Sequence, residues 1–206
     1  MAWIQQSSFA VHRLMTYYEY AIMQIETKFK ILDKEFSLEH DRNPINSIQT
    51  RLKSLESIVD KLQKKELSIT LESIEEHIQD IAGIRVVCSF PQDIYTLRSA
   101  FLQQDDITLI EERDYVKHPK PNGYRSLHLI VEVPIFLSNQ KKLVKAEIQM
   151  RTIAMNFWAS LEHQLRYKKD REFTLEAARE LFQCAETSAA LDHRMDELRK
   201  SIEASY

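Results

Sequence analysis

Tyr115-Val-Lys-His-Pro-Lys-Pro-Asn-Gly-Tyr-Arg-Ser-Leu-His-Leu129, followed one strand later by Glu147-Ile-Gln-Met-Arg151, decides the kind of fold this chain adopts. The first stretch is a charged, glycine-containing loop set between two apolar runs. After it, Tyr124, Ser126 and His128 recur at every second position. Residues of a strand alternate faces, so these three point one way and Leu127, Leu129, Val131 and Val133 the other. In the second stretch Glu147, Gln149 and Arg151 share one face, and Ala146, Ile148 and Met150 the opposite one. Two neighbouring strands whose polar faces carry an aromatic ring, an imidazole, a carboxylate, an amide and a guanidinium predict a polar ligand held on a sheet. A face that is merely solvated carries Thr, Lys and Ser instead.

Working outward, Ile81 to Phe90 reads as a continuous β-branched strand, and Ile107 to Val116 contains another. The remaining strands span 125–133 and 143–151, with a polar turn at Ser138–Lys142 between them. Pro91 opens a helix carrying Ile94, Leu97 and Phe101. Thr152 to Tyr167 is a helix with Ile153, Phe157, Leu161 and Leu165 as its inner side. Toward the N-terminus, Val11, Leu14, Tyr18, Ile22, Ile25, Phe29, Leu32 and Phe36 follow spacings of three and four, an amphipathic helix of about seven turns. Asn43-Pro44 reads as an N-cap and first helical residue, starting a second helix through Ile45, Ile48 and Leu52. A third helix runs from about Leu55 to Lys65. In the tail, Leu181, Cys184, Ser188, Leu191, Met195, Leu198 and Ile202 keep a heptad-like spacing. That stripe fits either docking on its own domain or a subunit interface. The order predicts an α+β fold: a mixed sheet of four to five strands flanked by helices, with long N- and C-terminal helices. One domain spans 1–206, with 1–40 as a helical extension and 171–206 as an oligomerisation helix.

Composition narrows the function classes. Its 206 residues suffice for one good-sized core, and 44% are hydrophobic, as in ordinary globular proteins. A net charge of −3 from 28 basic and 31 acidic side chains gives no global basic footprint for duplex nucleic acid. Only two Gly and five Pro disfavour a turn-rich all-β fold. Cys88 and Cys184 read as buried thiols of a reducing compartment. No apolar run reaches a membrane span and no leader pattern opens the chain, so a cytoplasmic location is expected, with no membrane.

Several residues carry possible chemistry. Ser57, Lys61 and Lys64 share one helical stripe, with Arg51 and Lys53 just before it. They make either a polyphosphate cradle or a solvated basic face. Asp80 opens a strand and Glu147 sits mid-strand, so the pair can hold one Mg²⁺ with phosphate oxygens. Their bland alternatives are a capping role and an ion pair with Arg151. Gly123 permits a positive φ, and Tyr124 beside Lys120 can stack a nucleobase or simply pack across a hairpin. Arg85 in an apolar strand needs a partner, and Gly83 on the same face leaves room for one. Trp158 and Phe157 read as core.

Taken in order, Asn43-Pro44-Ile45, Arg51-Leu-Lys53, Asp80-Ile-Ala-Gly-Ile-Arg85, Asn122-Gly-Tyr-Arg-Ser-Leu-His128, Glu147-Ile-Gln-Met-Arg151-Thr and Phe157-Trp-Ala-Ser-Leu-Glu-His163 resemble the synthetase domain of RelA/SpoT homologues. The resemblance is nearest to the stand-alone small alarmone synthetases of RelP and RelQ type and covers about residues 40–170. It implies transfer of pyrophosphate from ATP to the 3′-hydroxyl of GDP or GTP, giving ppGpp or pppGpp and AMP in stringent-response signalling. It implies that Arg51 and Arg85 sandwich adenine and that Lys53, Ser57, Lys61 and Lys64 hold the ATP phosphates. Asp80 and Glu147 would hold Mg²⁺, with Glu147 beside the attacking hydroxyl. Tyr124 would stack on guanine, with Arg113, Lys120, His128 and Gln149 around the acceptor. A homotetramer is implied, and no ribosome or nucleic-acid partner.

This sequence departs from the family at Lys64, where an arginine is expected, and at Pro121-Asn122 in the loop. Ser47 stands where product-activated relatives carry an aromatic residue, so little stimulation by pppGpp is expected. Rival readings are a relative acting on adenine nucleotides or the tRNA 3′ end, an inactive nucleotide-binding regulator, and a helical scaffold. Two carboxylates close together without metal are expected to repel, so removing either charge should stabilise the free protein slightly.

Overall fold

Leucine, isoleucine and valine dominate residues 127–135, apolar and polar residues alternate over 144–150, and these become neighbouring strands of the sheet. The computed structural model describes residues 2–40, 42–166 and 173–205. The elements run α1 (Ala2–His40), β1 (Ile45–Leu52), α2 (Leu55–Lys64), α3 (Leu71–His77), β2 (Ala82–Cys88), α4 (Pro91–Leu102), β3 (Thr108–Asp114), β4 (Leu127–Phe136), β5 (Lys141–Thr152), α5 (Ile153–Arg166) and α6 (Leu175–Glu203). The five strands form one mixed sheet in the order β1-β2-β5-β4-β3, parallel only between β2 and β5.

Residues 45–52 form an edge strand, not the second helix that Asn43-Pro44 predicted. They pair antiparallel with β2 from Ile45 opposite Cys88 to Leu52 opposite Ala82. The Asp33 side chain on α1 accepts from the Ile45 backbone N–H at 3.0 Å, and Pro44 accepts from Ser89, which fixes the entry of the strand. Spacings of three and four over so short a segment fit either period, and a waiting edge on β2 settles it. The short helix α3, capped by Thr70, was not expected from periodicity. Pro91 does sit at the start of α4, where the Asp93 carboxylate accepts from the Phe90 N–H.

The core lies on the sheet face made by Ala82, Ile84 and Val86, by Leu127, Leu129, Val131 and Val133, and by Ala146, Ile148 and Met150, all buried. The α1 stripe Leu14, Tyr18, Ile22, Ile25, Phe29 and Leu32 covers it, and Phe29 stacks on Phe101 of α4 with ring centroids 4.6 Å apart. Such a pair adds about 0.5–1.5 kcal/mol beyond area burial. The N-terminal stripe is therefore used up inside the chain. A second small core joins Trp158 and Ala159 of α5 to Leu181 and Ala185 of α6, and the Trp158 indole donates to the Leu181 carbonyl at 2.9 Å.

Four other expectations change. Ser126 is buried, not on the polar face; it precedes β4 and donates to the Met150 carbonyl. The α5 stripe Ile153, Phe157, Leu161 and Leu165 faces outward, with Phe157 65% exposed. Met155, Trp158 and Ala159 are the buried residues of this helix. Cys184 is exposed whereas Cys88 is buried, and both are free thiols. On α6 the outer heptad residues Leu191, Met195, Leu198 and Ile202 are exposed, while Leu181 and Ala185 dock. The predicted helix end at Tyr167 and the start of the C-terminal segment at residue 171 lie outside the described residues. No helix among the described residues is long and apolar enough to cross a membrane.

Candidate active site

Strand register builds the site on the face opposite α1. One row across the sheet is Arg51, Gly83, Glu147 and Ile130; the next is Gln49, Arg85, Gln149, His128 and Arg113. Gly83, flanked by Arg51 and Glu147, leaves the first row hollow. A Cβ there would sit 3.4 Å from the Arg51 carbonyl and 3.8 Å from its Nε, so the missing side chain is what opens the space. The resulting cleft of about 300 Å³ is lined by Gln49, Arg51, Gly83, Arg85, Glu147 and Gln149. Arg85 reaches the Gln49 side-chain oxygen at 3.4 Å, and its Nε is buried without a partner. An unpaired donor in a polar cleft invites a planar acceptor or an aromatic face.

At one end of the cleft, Asp80 lies just before β2 and accepts from two lysines, Lys53 Nζ at 2.9 Å and Lys61 Nζ at 2.8 Å. Lys53 follows β1 and Lys61 stands two turns into α2, so strand, helix and carboxylate converge. Burial by itself would raise the Asp80 carboxyl; the hydrogen bonds and charges of Lys61 and Lys53 outweigh it and hold it below the usual range. Ser57 lies in the first turn of α2, exposed, its backbone N–H and hydroxyl both bonded to the N-cap Ser54. Lys64 is exposed at the far end of α2 and takes no part in the Asp80 cluster.

Beyond Glu147 the polar groups close into a ring. Glu147 is 3.4 Å from His128 Nδ1 and accepts from Gln149 Nε2 at 3.0 Å. Gln149 accepts from Arg151 Nη2 at 2.9 Å, Arg151 Nη2 also donates to the Tyr124 hydroxyl at 2.7 Å, and that hydroxyl meets His128 Nε2 at 2.7 Å. Both branches run from Arg151 to the carboxylate, one through Tyr124 and His128 and the other through Gln149, while Arg151 Nε is buried without a partner. Burial pushes the Glu147 carboxyl up, but the His128 hydrogen bond and charge and the Gln149 hydrogen bond win, so it lies below its ordinary value. Arg151 and Gln49 were absent from the sequence-based site list. The alternation Glu147, Gln149, Arg151 already carried the signal for the first; Gln49 had none once β1 was read as a helix.

The loop ends beside this ring. Gly123 has φ 88°, and Tyr124 N–H bonds the Asn122 side chain. Lys120 Nζ sits 4.9 Å from the Tyr124 ring centre and 4.6 Å from that of Tyr115. Arg113, on β3 opposite His128, is tied to Glu111 by two hydrogen bonds and stays exposed. The structure thus joins Tyr124, His128, Glu147 and Gln149 directly, sets Asp80 with Lys53 and Lys61, lines the cleft with Arg51 and Arg85, and leaves Ser57, Lys64, Arg113 and Lys120 exposed.

A divalent cation can be tested against this donor set. Asp80 and Glu147 are near enough that the Asp80 charge acts on the Glu147 carboxyl, and both are held ionised. No cluster of three or more potential ligands exists among the described residues. Two ionised carboxylates without a third fit a hard cation that arrives with substrate phosphates.

A twisted mixed sheet with a cation cradle at one end of a cleft and a carboxylate ring at the other defines a class of phosphate-handling nucleotide enzymes. Comparison with known proteins fixes the member. Residues 50–172 match the region found in RelA / SpoT proteins, and the chain belongs to the RelA/SpoT family. It is 46% identical over 186 residues to the GTP pyrophosphokinase YwaC of Bacillus subtilis (strain 168), covering 90% of this chain and 89% of that one. Among solved structures, small alarmone synthetase 1 from Bacillus subtilis bound to its product pppGpp superposes with a TM-score of 0.84 at 35% identity, covering 94% and 98% of the two chains. The same synthetase bound to AMPCPP gives 0.79 at 32% identity, covering 95% and 98%.

Proposed function

We propose that this chain is a (p)ppGpp synthetase: it transfers the pyrophosphate of ATP to the 3′-hydroxyl of GDP or GTP and releases AMP. The observation that carries the reading is the ionised Glu147 at the junction between the Arg51–Arg85 cleft and the Tyr124 loop, in a chain this similar to a GTP pyrophosphokinase. Adenine stacks between the guanidinium planes of Arg51 and Arg85, which line the cleft. The phosphates then run toward Lys53, Lys61 and Ser57, with Lys64 as an outlying charge. In the free protein Asp80 already neutralises two of these lysines, so triphosphate entry exchanges one anion for another. Bound Mg²⁺ would neutralise charge on the transferring phosphates and free Asp80 from its lysines.

On the other side Tyr124 offers its ring to guanine, with Lys120, Arg113, His128 and Gln149 about the acceptor. The 3′-oxygen attacks the β-phosphorus. A new O–P bond forms, the bond from the β-phosphorus to the bridging α,β-oxygen breaks, and AMP leaves with that oxygen. Glu147 takes the hydroxyl proton late, as the oxygen loses electron density, while His128 and Gln149 hold the carboxylate in line. Incubation with γ-labelled ATP, Mg²⁺ and each of GDP, GTP, AMP, ATP and tRNA tests this. Label on the guanine nucleotides supports it; label on another acceptor alone, or on none, overturns it.

Tyr124→Ala should raise the acceptor KM and lower kcat/KM roughly 5- to 150-fold, the cost of about 1–3 kcal/mol for a lost stacking contact. Tyr124→Phe keeps the ring but removes the hydroxyl that links Arg151 to His128, so it should fall between the two. Initial rates at varied GDP check both, and an unchanged acceptor KM for the alanine variant would remove the stacking role.

The outward stripes of α5 and α6 support a homotetramer. Phe157 and Leu191, at 65% and 57% exposure, belong to rows of apolar side chains left exposed among the described residues. Closed symmetric assemblies are the usual way to bury such rows. Sedimentation should give four times the chain mass of 24.3 kDa, and a compact monomer at micromolar concentration would reject it.

A further inference from the structure

We propose that helix α6 sets the position of the acceptor loop, with Ala185 as the positioning residue; this rests on the reading of Tyr124 as the guanine platform. Gly123 is packed against α6 so closely that a Cβ on it would lie 2.5 Å from the Ala185 Cβ and 3.4 Å from the Phe182 ring. The glycine therefore answers two demands at once, a left-handed φ of 88° and contact with a helix some sixty residues further along the chain. The two residues that follow it are held there as well. Arg125 pairs with Glu186 at 3.2 Å, and the Tyr124 ring packs on the cluster of Trp158, Ala159, Leu181 and Ala185. That cluster is itself fixed by the Trp158 indole on the Leu181 carbonyl and by Ser188 on the Ala154 carbonyl. The atoms nearest a Cβ on Gly123 belong to Ala185 and Phe182 of α6, while its neighbour Asn122 donates to Glu162 of α5. The loop thus reads the height of α6 through one small side chain, and Tyr124, the next residue, carries that height into the carboxylate ring.

Ala185→Leu tests this from outside the site. The leucine fills the space Gly123 occupies, so the acceptor KM should rise on the order of tenfold, because small displacements at a reacting group are costly. The KM for ATP should not move. Calorimetry should show weaker GDP binding and unchanged AMPCPP binding. Equal losses toward both nucleotides, or no loss toward either, would overturn the proposal. A second pair of variants guards against misfolding of the first. Gly123→Ala should weaken GDP binding, and Gly123→Ala combined with Ala185→Gly should recover part of it, since the second change removes the 2.5 Å contact. No recovery would also overturn it. Amide hydrogen exchange over residues 118–124 reads the loop without any nucleotide, and Ala185→Leu should speed it. Faster exchange in Ala185→Leu, together with a wild-type protein that binds no guanine nucleotide, would support the positioning role while rejecting the guanine reading. Unchanged exchange with intact GDP binding rejects the positioning role alone.

Discussion

Glu147→Gln should lower kcat by on the order of 10²–10⁴ at saturating ATP, GDP and Mg²⁺, with the fold intact. The glutamine keeps the volume of the side chain and removes the charge. It also breaks the pattern of the ring. Gln149 Nε2 donates to Glu147, and His128 Nδ1 faces the same carboxylate at 3.4 Å. An amide offers them one acceptor and one donor, so one of the two contacts becomes N–H against N–H unless His128 changes tautomer, which in turn disturbs Tyr124. The loss should appear in kcat rather than in either KM, because the group acts beside the attacking hydroxyl and not on the bases. A Mg²⁺ titration of the initial rate, with circular dichroism as the folding control, is the measurement. Near-normal turnover would sink the assignment of Glu147, and with it the direction of attack argued from the cleft.

Asp80→Asn should lower the rate at a fixed Mg²⁺ concentration about a hundredfold or more, and shift the Mg²⁺ titration to higher concentration. Its free-state geometry separates two effects. Asp80 holds Lys53 and Lys61 in the absence of nucleotide. Asparagine releases them, so binding of metal-free ATP should stay the same or tighten while turnover of Mg²⁺–ATP is lost. Stability should fall, opposite to what mutual repulsion of two carboxylates suggests. The half-buried Lys53–Asp80 pair, with side chains only 13% and 17% exposed, leaves a poorly solvated ammonium when its partner is neutralised. Equilibrium binding of ATP with and without Mg²⁺, together with a thermal melt, checks all three. A variant with wild-type Mg²⁺ dependence would remove Asp80 from the metal site.

Neighbouring residues explain why some elements were legible and others were not. Glu147, Gln149 and Arg151 alternate with Ala146, Ile148 and Met150, and a strand buried on one face has no other way to arrange them. The same parity placed His128 correctly opposite Leu127 and Leu129. Arg51 lines the cleft from a strand, although its segment reads as a helix. Its segment has apolar residues at 45, 48 and 52, which suits a helix, but an edge strand needs few apolar positions because one side of it faces solvent. On α5 the residues at 153, 157, 161 and 165 make a cleaner helical stripe than 155, 158 and 159, yet the second set is buried. Period tells which side chains share a face; it says nothing of what the face meets.

Local sequence was enough for strands β2 to β5, the long terminal helices, the glycine turn before Tyr124 and the chemical types that a nucleotide site needs. Those follow from local sterics, parity and ionisation, which act between residues close along the chain. Only the tertiary structure decided that Arg51 stands opposite Gly83, that Lys53 and Lys61 share one carboxylate, and that Tyr124, His128, Glu147, Gln149 and Arg151 form one ring. It alone set Gly123 against Ala185. Each of these contacts joins segments that chain spacing leaves unrelated. Strand order and register bring them together, and those are chosen by the burial of the opposite, apolar face.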